Sequence, residues 1–508
     1  MFRQSSHFYL KVIIFIFKHH IIFYSNFLIK VNKMSKEDIC YMSACEMVEK
    51  IKTQELTSLE ITETLIERIE KINPLVNAYC IPTFDLAREM ANKADELAKK
   101  GEGGLINGVP TSIKDLMQLK GIRTTYGSKL YEDFIPEQTD VAVQRLMDAG
   151  GVILGKTNTP EFGAIALTNN KIFGETKNPW NLETNSGGSS GGAASSVASG
   201  LGPLALGSDG GGSIRVPSSC CGVYGLKPTY GLIPSYPRIG IAFKSMDHYG
   251  PIVHYVKDAA LMLNVMKGAY PADFNSLPDD NIDYVQALEN KPKKIKIGYS
   301  MSLGFGKILD DEVKNVVLDS IQKFQQLGWD VEEAKIKIRS PELAFKSLVT
   351  LGYGYDLQKE YNERIDDLNP YLIPQIKLGL DSTAMSIGKA MEVRDRVYQV
   401  VYQYFKEYDI LITPTTPCPA FKPEWLESGP AFPKIGKKML SIMTWMNYTY
   451  PFNMTGIPAA SIPAGWTMSG LPIGMQIVAN RFNDALVLQV SKAFEEIAPW
   501  QDKRPKFD

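Results

Sequence analysis

Apolar residues along the chain recur either at helical spacing or in short runs typical of buried strands. Ile61, Leu65 and Ile69 share one face of a predicted helix over residues 57–72, which Pro74 is expected to end. Further helices are predicted over residues 85–99, 140–149, 193–199 and 310–326. Strands are predicted over residues 109–113, 152–154, 203–206, 294–299, 330–336, 409–414, 459–463 and 473–478. This alternation predicts an α/β fold class built on a layered sheet.

The first 33 residues differ in character from the rest of the chain. They contain five basic and no acidic residues, and their uninterrupted apolar run, residues 12–17, is too short to span a bilayer. Lys18 would place a costly charge within the membrane, so no stable membrane insertion is expected. For residues 1–33, three interpretations stay open: an upstream-extended reading frame or disordered leader, an interfacial anchor, and a targeting signal. Residues 34–508 are expected to form one domain, with the helical, aromatic stretch 341–404 as a candidate cap over a site.

Composition and charge exclude several classes of protein. Hydrophobic residues make up 44% and charged residues 22% of the 508 residues, as in ordinary soluble globular proteins. A formal net charge of −1 gives no electrostatic footprint for a nucleic-acid partner. The six cysteines lack a C-x-x-C motif, so a reducing compartment, the cytoplasm, is favoured over a disulfide framework or a zinc site. Cys220 and Cys221 are interpreted as buried small residues rather than nucleophiles.

Residues 186–215 carry the strongest chemical signal in the sequence. Ser189, Ser190 and Ser213 are flanked there by glycines at positions 187, 188, 191, 192 and 210–212. Glycine lets the backbone come close to a substrate where a Cβ would block the approach. A helix of small residues and an apolar strand separate the two serine clusters. We therefore interpret this stretch as a candidate catalytic centre.

Two other patterns compete with this interpretation. Residues 150–157 satisfy the P-loop pattern G-x-x-x-x-G-K-[ST], but apolar residues 152–154 stand where a phosphate cradle needs a loop, so a buried strand is favoured. A Ser-His-Asp triad needs an imidazole base, and outside the leader only His248 and His254 are available. His248 precedes a turn-like Tyr-Gly-Pro sequence and is better explained as a packed histidine. Neither serine cluster matches the G-x-S-x-G nucleophile elbow.

The residues instead match a known family. Residues 108–115 (GVPTSIKD), the glycine-serine stretch and residues 222–229 (GVYGLKPT) resemble the amidase signature family of amide hydrolases. Weaker similarity continues in residues 247–251 and 455–459, so that nearly all of residues 34–508 are covered. The resemblance implies an α/β/α sandwich around a large twisted mixed sheet. It also implies hydrolysis of a carboxamide C–N bond in a small-molecule amide, without a metal ion or organic cofactor.

The resemblance also implies the catalytic residues. The family's catalytic lysine falls on Lys114, its bridging serine on Ser189 and its nucleophile on Ser213. Lysine acts as a base only when neutral, and an ordinary pKa near 10.4 leaves almost none in that form at pH 7, so burial is expected to lower it. Asp115 would oppose that shift, but strand alternation is expected to send it to the opposite face.

Backbone groups and aromatic side chains complete the expected site. The N–H groups of Gly210, Gly211, Gly212 and Ser213 are expected to form an oxyanion hole, and Asp209 is expected to brace this loop through an ion pair with Arg215. The family often has a larger residue where Gly210 stands, which leaves the shape of the acyl pocket open. Aromatic residues of the C-terminal half are candidates for lining that pocket; those with a predicted substrate-binding role are Tyr353, Tyr355 and Trp445.

The sequence thus predicts an amidase that acts through an acyl-Ser213 intermediate and releases ammonia or an amine. The alternative is the glutaminase (A) subunit of a tRNA-dependent amidotransferase, which shares the catalytic core. A catalytically silent binding protein is disfavoured because Lys114, Ser189 and Ser213 are all present. The oligomeric state stays open, with a homodimer as one candidate.

Overall fold

The apolar runs of the sequence assemble into one large mixed sheet. The computed structural model describes residues 34–238 and 240–507; the predictions for residues 1–33 therefore lie outside the described residues. The sheet lies within the compact unit Cys40–Asp508. Within the described residues, its eleven strands are β1 Tyr79–Pro82, β2 Pro110–Lys114, β3 Val152–Thr157, β4 Leu204–Asp209, β5 Tyr224–Lys227, β6 His248–Val253, β7 Lys296–Tyr299, β8 Asp330–Glu333, β9 Ile410–Pro414, β10 Ala459–Trp466 and β11 Pro472–Ala479.

The strand order places β2, the strand that ends in Lys114, third from one edge of this sheet. The order is β1-β3-β2-β4-β6-β5-β10-β11-β9-β7-β8. Strand β2 pairs in parallel with both β3 and β4, and β7 pairs in parallel with β8 and β9, whereas the remaining pairs are antiparallel. Strands β2, β3 and β4 are buried along their whole length, as expected of parallel strands covered on both faces.

Helices connect and cover these strands. Their bounds are α1 Lys36–Cys40, α2 Ala44–Lys52, α3 Ser58–Val76, α4 Phe84–Lys99, α5 Val141–Asp148, α6 Gly191–Ala198, α7 Arg215–Cys221, α8 Val256–Met266, α9 Tyr284–Ala287, α10 Asp311–Lys323, α11 Glu342–Asp356, α12 Gln358–Glu363, α13 Ile373–Leu380, α14 Ala384–Tyr404, α15 Ile442–Trp445, α16 Tyr450–Thr455 and α17 Asp484–Ile497. Short 3₁₀ turns lie at Lys129–Tyr131, Glu161–Gly163, Phe324–Leu327 and Ile365–Asp367. Two-stranded ladders pair Asn169–Asn170 with Gly174–Glu175, Lys177–Asn178 with Asn181–Asn185, Glu424–Leu426 with Gly429–Ala431, and Lys434–Ile435 with Lys438–Met439.

The predicted α/β fold class is confirmed, and each predicted helix and strand is present with shifted ends. Helix α3 shows one difference, because Pro74 lies inside it and the helix continues to Val76. Asn77 ends it in the left-handed conformation, with its N–H donating to the Asn73 carbonyl at 2.7 Å. The stretch 341–404 is helical, as predicted, and contains α11 to α14.

Three strands of the sheet were not predicted: β1, β5 and β6. Each has only four to six residues, and β6 contains Pro251, a residue that normally argues against a strand inside a sheet. Pro251 pairs with Leu206 of β4, while β5 pairs with β6 only at Ile252 and Val253. The proline therefore takes part in only one of the two ladders that β6 forms. Every helix that the structure describes is too short or too polar to cross a membrane.

Candidate active site

Lys114 lies at the end of β2 with its side chain fully buried. Its Nζ donates to Ser189 Oγ at 2.7 Å and to Ser208 Oγ at 3.0 Å. Strand β2 is an interior strand, between β3 and β4. Two hydroxyl groups thus hold the amine in place, and Ser208, the penultimate residue of β4, is the partner that the sequence did not predict.

Burial changes the acid–base chemistry of this lysine. Loss of solvation lowers the pKa of Lys114 to about 7, although the negative charges of Asp247 and Asp209 oppose the shift. Asp115 is engaged elsewhere, as predicted: its carboxylate accepts from Lys156 Nζ at 2.9 Å and from Thr125 Oγ1 at 2.6 Å. A substantial fraction of Lys114 is therefore neutral near pH 7.

The two predicted serines reach the same cavity from different segments. Ser189 lies just before α6 and Ser213 just before α7, and the Ser190 amide donates to the Ser213 carbonyl at 3.1 Å. Both side chains line a cavity of about 270 Å³. Ser213 is 8% exposed and Ser189 only 2% exposed. The structure thus places Ser189 and Ser213 on one cavity, with Lys114 behind it in contact with Ser189.

The loop that carries Ser213 is braced by a buried ion pair between Asp209 and Arg215. The guanidinium donates to both carboxylate oxygens at 2.9 Å, and both side chains are fully buried. Burial alone would raise the pKa of Asp209, but the charge and hydrogen bonds of Arg215 hold it well below its ordinary value. Asn453 Nδ2 also donates to Asp209 Oδ1 at 2.8 Å. The predicted bracing role of this pair is confirmed.

The same carboxylate changes the set of available oxyanion donors. The Gly212 amide donates to Asp209 Oδ1 at 2.7 Å, which removes Gly212 from the four predicted donors. In the part of the chain that the structure describes, the amides of Gly211 and Ser213 have no partner. A Cβ on Gly212 would come within 2.3 Å of Thr449 Oγ1, and its φ of +134° is unfavourable for other residues. The loop therefore requires glycine at this position for packing.

A second cavity, of about 540 Å³, adjoins the first and is mostly apolar. Its wall includes side chains from α11, α13 and α15. The two cavities share three lining residues: Gly163, Ser213 and Phe243. Ser213 thus lies where two chemically different spaces meet.

The three aromatic residues predicted to bind substrate lie in different environments. Tyr353 lines the first cavity. Tyr355 does not line either cavity, because two residues along helix α11 turn the side chain by about 200°, and it is 73% exposed. Trp445 is fully buried in the core, where Nε1 donates to the Ala166 carbonyl at 3.4 Å. The predictions for Tyr355 and Trp445 are therefore corrected.

The alternatives rejected from the sequence stay rejected in the structure. Val152–Thr157 is the buried strand β3, and Lys156 of the P-loop-like pattern pairs with Asp115. His248 is packed, as predicted, but it begins strand β6 instead of a turn; its Nδ1 lies 3.2 Å from the Asp209 carbonyl. Burial raises the pKa of the Cys220 thiol well above its ordinary value. The described residues contain no group of three or more His, Cys, Asp or Glu side chains that could hold a metal ion.

Asp247 and Phe243 also line the first cavity, although the sequence predicted a role for neither. Asp247 belongs to residues 247–251, where the similarity to the family is weak. No periodic pattern of apolar residues marks Phe243. An isolated hydroxyl in the apolar strand β4 was the available signal for Ser208.

The fold and the sequence together define an amide hydrolase. A profile of the Amidase family matches residues 60–488. The chain belongs to this family, the amidase signature enzymes.

Curated relatives extend over the whole family region. The chain is 39% identical to an acylamidase of Rhodococcus erythropolis over 484 residues, which cover 93% of this chain and 98% of the relative. It is 37% identical to the A subunit of the glutamyl-tRNA(Gln) amidotransferase of Carboxydothermus hydrogenoformans over 497 residues, covering 92% of this chain and 100% of that protein. Both branches considered in the sequence analysis are thus represented among the relatives.

A solved structure of a bacterial aryl acylamidase of the amidase signature family superposes with a TM-score of 0.85. It is 31% identical, and the match covers 91% of this chain and 97% of the other. The A subunit of the glutamyl-tRNA(Gln) amidotransferase from Thermotoga maritima superposes with a TM-score of 0.70 at 28% identity, covering 92% and 95% of the two chains.

Proposed function

We propose that this amidase hydrolyses its substrate through an acyl-Ser213 intermediate, with Lys114 and Ser189 carrying the proton. The observation that supports this proposal best is the hydrogen bond of 2.7 Å between Lys114 Nζ and Ser189 Oγ inside the protein. A neutral lysine accepts a proton, and the serine next to it can pass one on. Ser213 lines the same cavity as Ser189 and supplies the nucleophile.

In the acylation step, Ser213 Oγ forms a bond to the substrate carbonyl carbon. Its proton moves to Ser189 Oγ while the Ser189 proton moves to Lys114 Nζ. The C–N bond then breaks, and the proton returns from Lys114 through Ser189 to the leaving nitrogen, because an amine leaves poorly unless it is protonated. Water then attacks the acyl ester along the same proton path, which releases the acid and restores the Ser213 hydroxyl.

Negative charge develops on the carbonyl oxygen during both steps. We assign the amides of Gly211 and Ser213 as the donors to this oxygen, with the Gly210 amide as a third candidate. Each such donor contributes about 2.7–4 kcal/mol to the stability of the transition state in comparable sites. The Asp209–Arg215 ion pair holds the loop in place before substrate binds and so avoids reorganisation during the reaction.

Similarity to the acylamidases supports a free-standing enzyme as the first candidate. The aryl acylamidase structure superposes better than the amidotransferase protein, with a TM-score of 0.85 against 0.70. The second candidate is still the glutaminase subunit, because the sequence identities to the two kinds of relative are 39% and 37%. A homodimer and a cytoplasmic location stay predictions. The six cysteines are free thiols in the described part of the chain, which supports a reducing compartment.

The two candidates differ in what the isolated chain does. The purified chain should hydrolyse anilides and other simple amides, and it should do so without a partner protein or tRNA. Ammonia and aniline release would be measured with glutamine and with acyl anilides as parallel substrates, and Ser213→Ala would serve as the blank. Hydrolysis of glutamine without hydrolysis of the anilides would favour the glutaminase role instead. Activity that appears only after addition of amidotransferase partners and tRNA would favour the same role.

A further inference from the structure

Phe243 stands between the two cavities that meet at Ser213. It lines both of them, together with Gly163 and Ser213. Its ring lies 6.3 Å from the ring of Phe345 and 5.9 Å from the ring of Tyr353, measured between centroids. The aromatic group thus forms a partition beside the nucleophile.

The ring fills the space that a side chain at position 210 would need. A Cβ on Gly210 would lie 2.6 Å from Phe243 Cδ1 and 2.8 Å from Cγ, closer than real Cβ contacts allow. The missing side chain of Gly210 therefore lets the ring reach the cavity. Packing thus explains why glycine stands at position 210, where the family often has a larger residue. The Phe243 ring, from a separate segment, occupies the space of that larger side chain.

The segment that carries Phe243 is fastened to the helices of residues 341–404. Asp356, at the end of α11, accepts from the Ile241 amide at 2.7 Å and from the Ala242 amide at 3.1 Å. Arg394 of α14 donates to the Ser245 carbonyl at 2.9 Å. The partition is therefore held from both sides of Phe243.

The two cavities differ in chemistry. The larger one has an apolar wall that includes Ile165, Val349, Ile442, Met443 and Met446. The smaller one is lined by aromatic rings, among them Tyr131, Phe162 and Tyr353. Its charged groups are engaged: Asp356 accepts the two amides described above, and Arg238 lies 3.8 Å from Asp247. The larger cavity suits an apolar chain, and the smaller one suits a compact uncharged ring.

The proton path decides which cavity takes which half of the substrate. The leaving nitrogen must receive its proton from Ser189, and Ser189 lines only the smaller cavity. Of the candidate oxyanion donors, Gly211 lines only the larger cavity, Gly210 lines only the smaller one and Ser213 lines both, so the carbonyl oxygen is expected where the two cavities meet. The amine half of the substrate therefore lies in the smaller cavity, and the acyl half extends into the larger one.

We infer that Phe243, admitted by Gly210, is a specificity-determining wall between an acyl cavity and an amine cavity. The substrate class that fits is an amide joining an apolar acyl group to a compact aromatic amine. This inference rests on the proposed acyl-Ser213 mechanism.

The test is a crossed panel of substrates that varies the acyl group and the amine independently. Acetyl and decanoyl amides of aniline and of 2-naphthylamine would be assayed with the full chain and its variants. Phe243→Ala should raise the ratio of kcat/KM for naphthylamides over anilides by about tenfold, because it removes the wall of the amine cavity. Its preference between acetyl and decanoyl groups should not change. Phe482→Ala is the matched control, since Phe482 also has a positive φ, of 71° against 60°, but is 57% exposed.

Ile442→Trp tests the other cavity. The larger side chain should lower kcat/KM for decanoyl relative to acetyl amides by about tenfold and leave the preference between the two amines unchanged. Because Ile442 is only partly buried, this substitution adds bulk at a site that is not fully packed. In the same panel, Phe243→Ala should thus change only the preference for the amine, and Ile442→Trp only the preference for the acyl group.

A third comparison tests the link between positions 210 and 243. Gly210→Ala should lower activity because its Cβ displaces the Phe243 ring, and the double variant Gly210→Ala/Phe243→Ala should recover activity relative to Gly210→Ala. No recovery would overturn the role given to Gly210.

Two results would contradict the assignment of the acyl and amine cavities. An unchanged amine preference in Phe243→Ala, or an amine preference that shifts in Ile442→Trp, would overturn it. Both results are distinct from failure of the proposed mechanism, in which the unmodified chain would show amide hydrolysis that persists in Ser213→Ala.

Discussion

Lys114 Nζ donates to Ser189 Oγ at 2.7 Å while both side chains are shielded from solvent. The pair joins the end of strand β2 to the segment before α6, two parts of the chain 75 residues apart. Burial lowers the pKa of the lysine, and the hydroxyl gives the neutral amine a defined partner. Burial thus makes the neutral form of this lysine accessible near pH 7, which is the property that the proposed base requires.

The pH dependence of the reaction should follow the ionisation of Lys114. Since the neutral amine is the active form and the pKa of Lys114 is about 7, kcat/KM should rise with pH, level off above about 8, and fall roughly tenfold per pH unit well below 7. The profile would be measured with an uncharged anilide. The rate of Ser213 labelling by a fluorophosphonate should show the same pH dependence, and a profile flat from pH 5 to 8 would contradict the assigned base.

Removal of the base should affect amides more than esters. Lys114→Ala is expected to lower kcat for an anilide by about 10²–10⁴-fold, the usual contribution of general acid–base catalysis. The matching phenyl ester should lose less, because phenolate leaves without a proton. Parallel assays of the two substrates, with circular dichroism to verify folding, would check this. Equal losses for both substrates would show that Lys114 is not needed to protonate the leaving group.

The catalytic candidates were predictable mainly through the resemblance to the amidase signature family. Lys114, Ser189 and Ser213 were selected because their motifs match those of the family, whereas the glycines and short hydroxyl residues around the two serines indicated only close backbone approach. Asp115 was correctly expected to face away, because neighbouring residues of a strand point to opposite faces.

The remaining features depend on contacts between distant segments. Phe243 reaches Gly210 through a loop fastened by Asp356, and no periodic pattern reports such a contact. The bond from the Gly212 amide to Asp209 depends on how one carboxylate is oriented. Tyr353 and Tyr355 lie on opposite faces of helix α11, and the presence of two tyrosines in the sequence does not show which of them faces the cavity. Pro74 was expected to end helix α3, but the helix continues to Val76. Packing of the helix outweighs the local preference of proline there.

The buried ion pair should be essential for stability. Asp209→Asn leaves the Arg215 guanidinium with an uncompensated charge in the interior, so the free energy of unfolding should fall by about 3–5 kcal/mol. Chemical denaturation would measure the loss. The control is Lys422→Met, which breaks an exposed pair with Glu183 and should leave stability unchanged within error. Equal stability of Asp209→Asn and the unmodified chain would contradict the bracing role.

The two tyrosines of α11 should behave differently in substrate binding. Tyr353→Leu keeps an apolar side chain but removes the ring from the smaller cavity, and KM for an anilide should rise by about 2–10-fold, the value of one aromatic contact. Tyr355→Leu, on the exposed side of the same helix, should leave KM unchanged. Steady-state kinetics of both variants would decide, and an effect of Tyr355→Leu equal to that of Tyr353→Leu would contradict the described cavity.

Covalent labelling of the nucleophile tests the central claim most directly. The full chain would be treated with a fluorophosphonate, digested and mapped by mass spectrometry, with residual amidase activity followed in the same sample. We predict one adduct, on Ser213, that forms in step with loss of activity, forms much more slowly in Lys114→Ala and is absent in Ser213→Ala. Complete loss of activity with the adduct on another residue, or an active enzyme in which Ser213 has been replaced, would contradict this prediction.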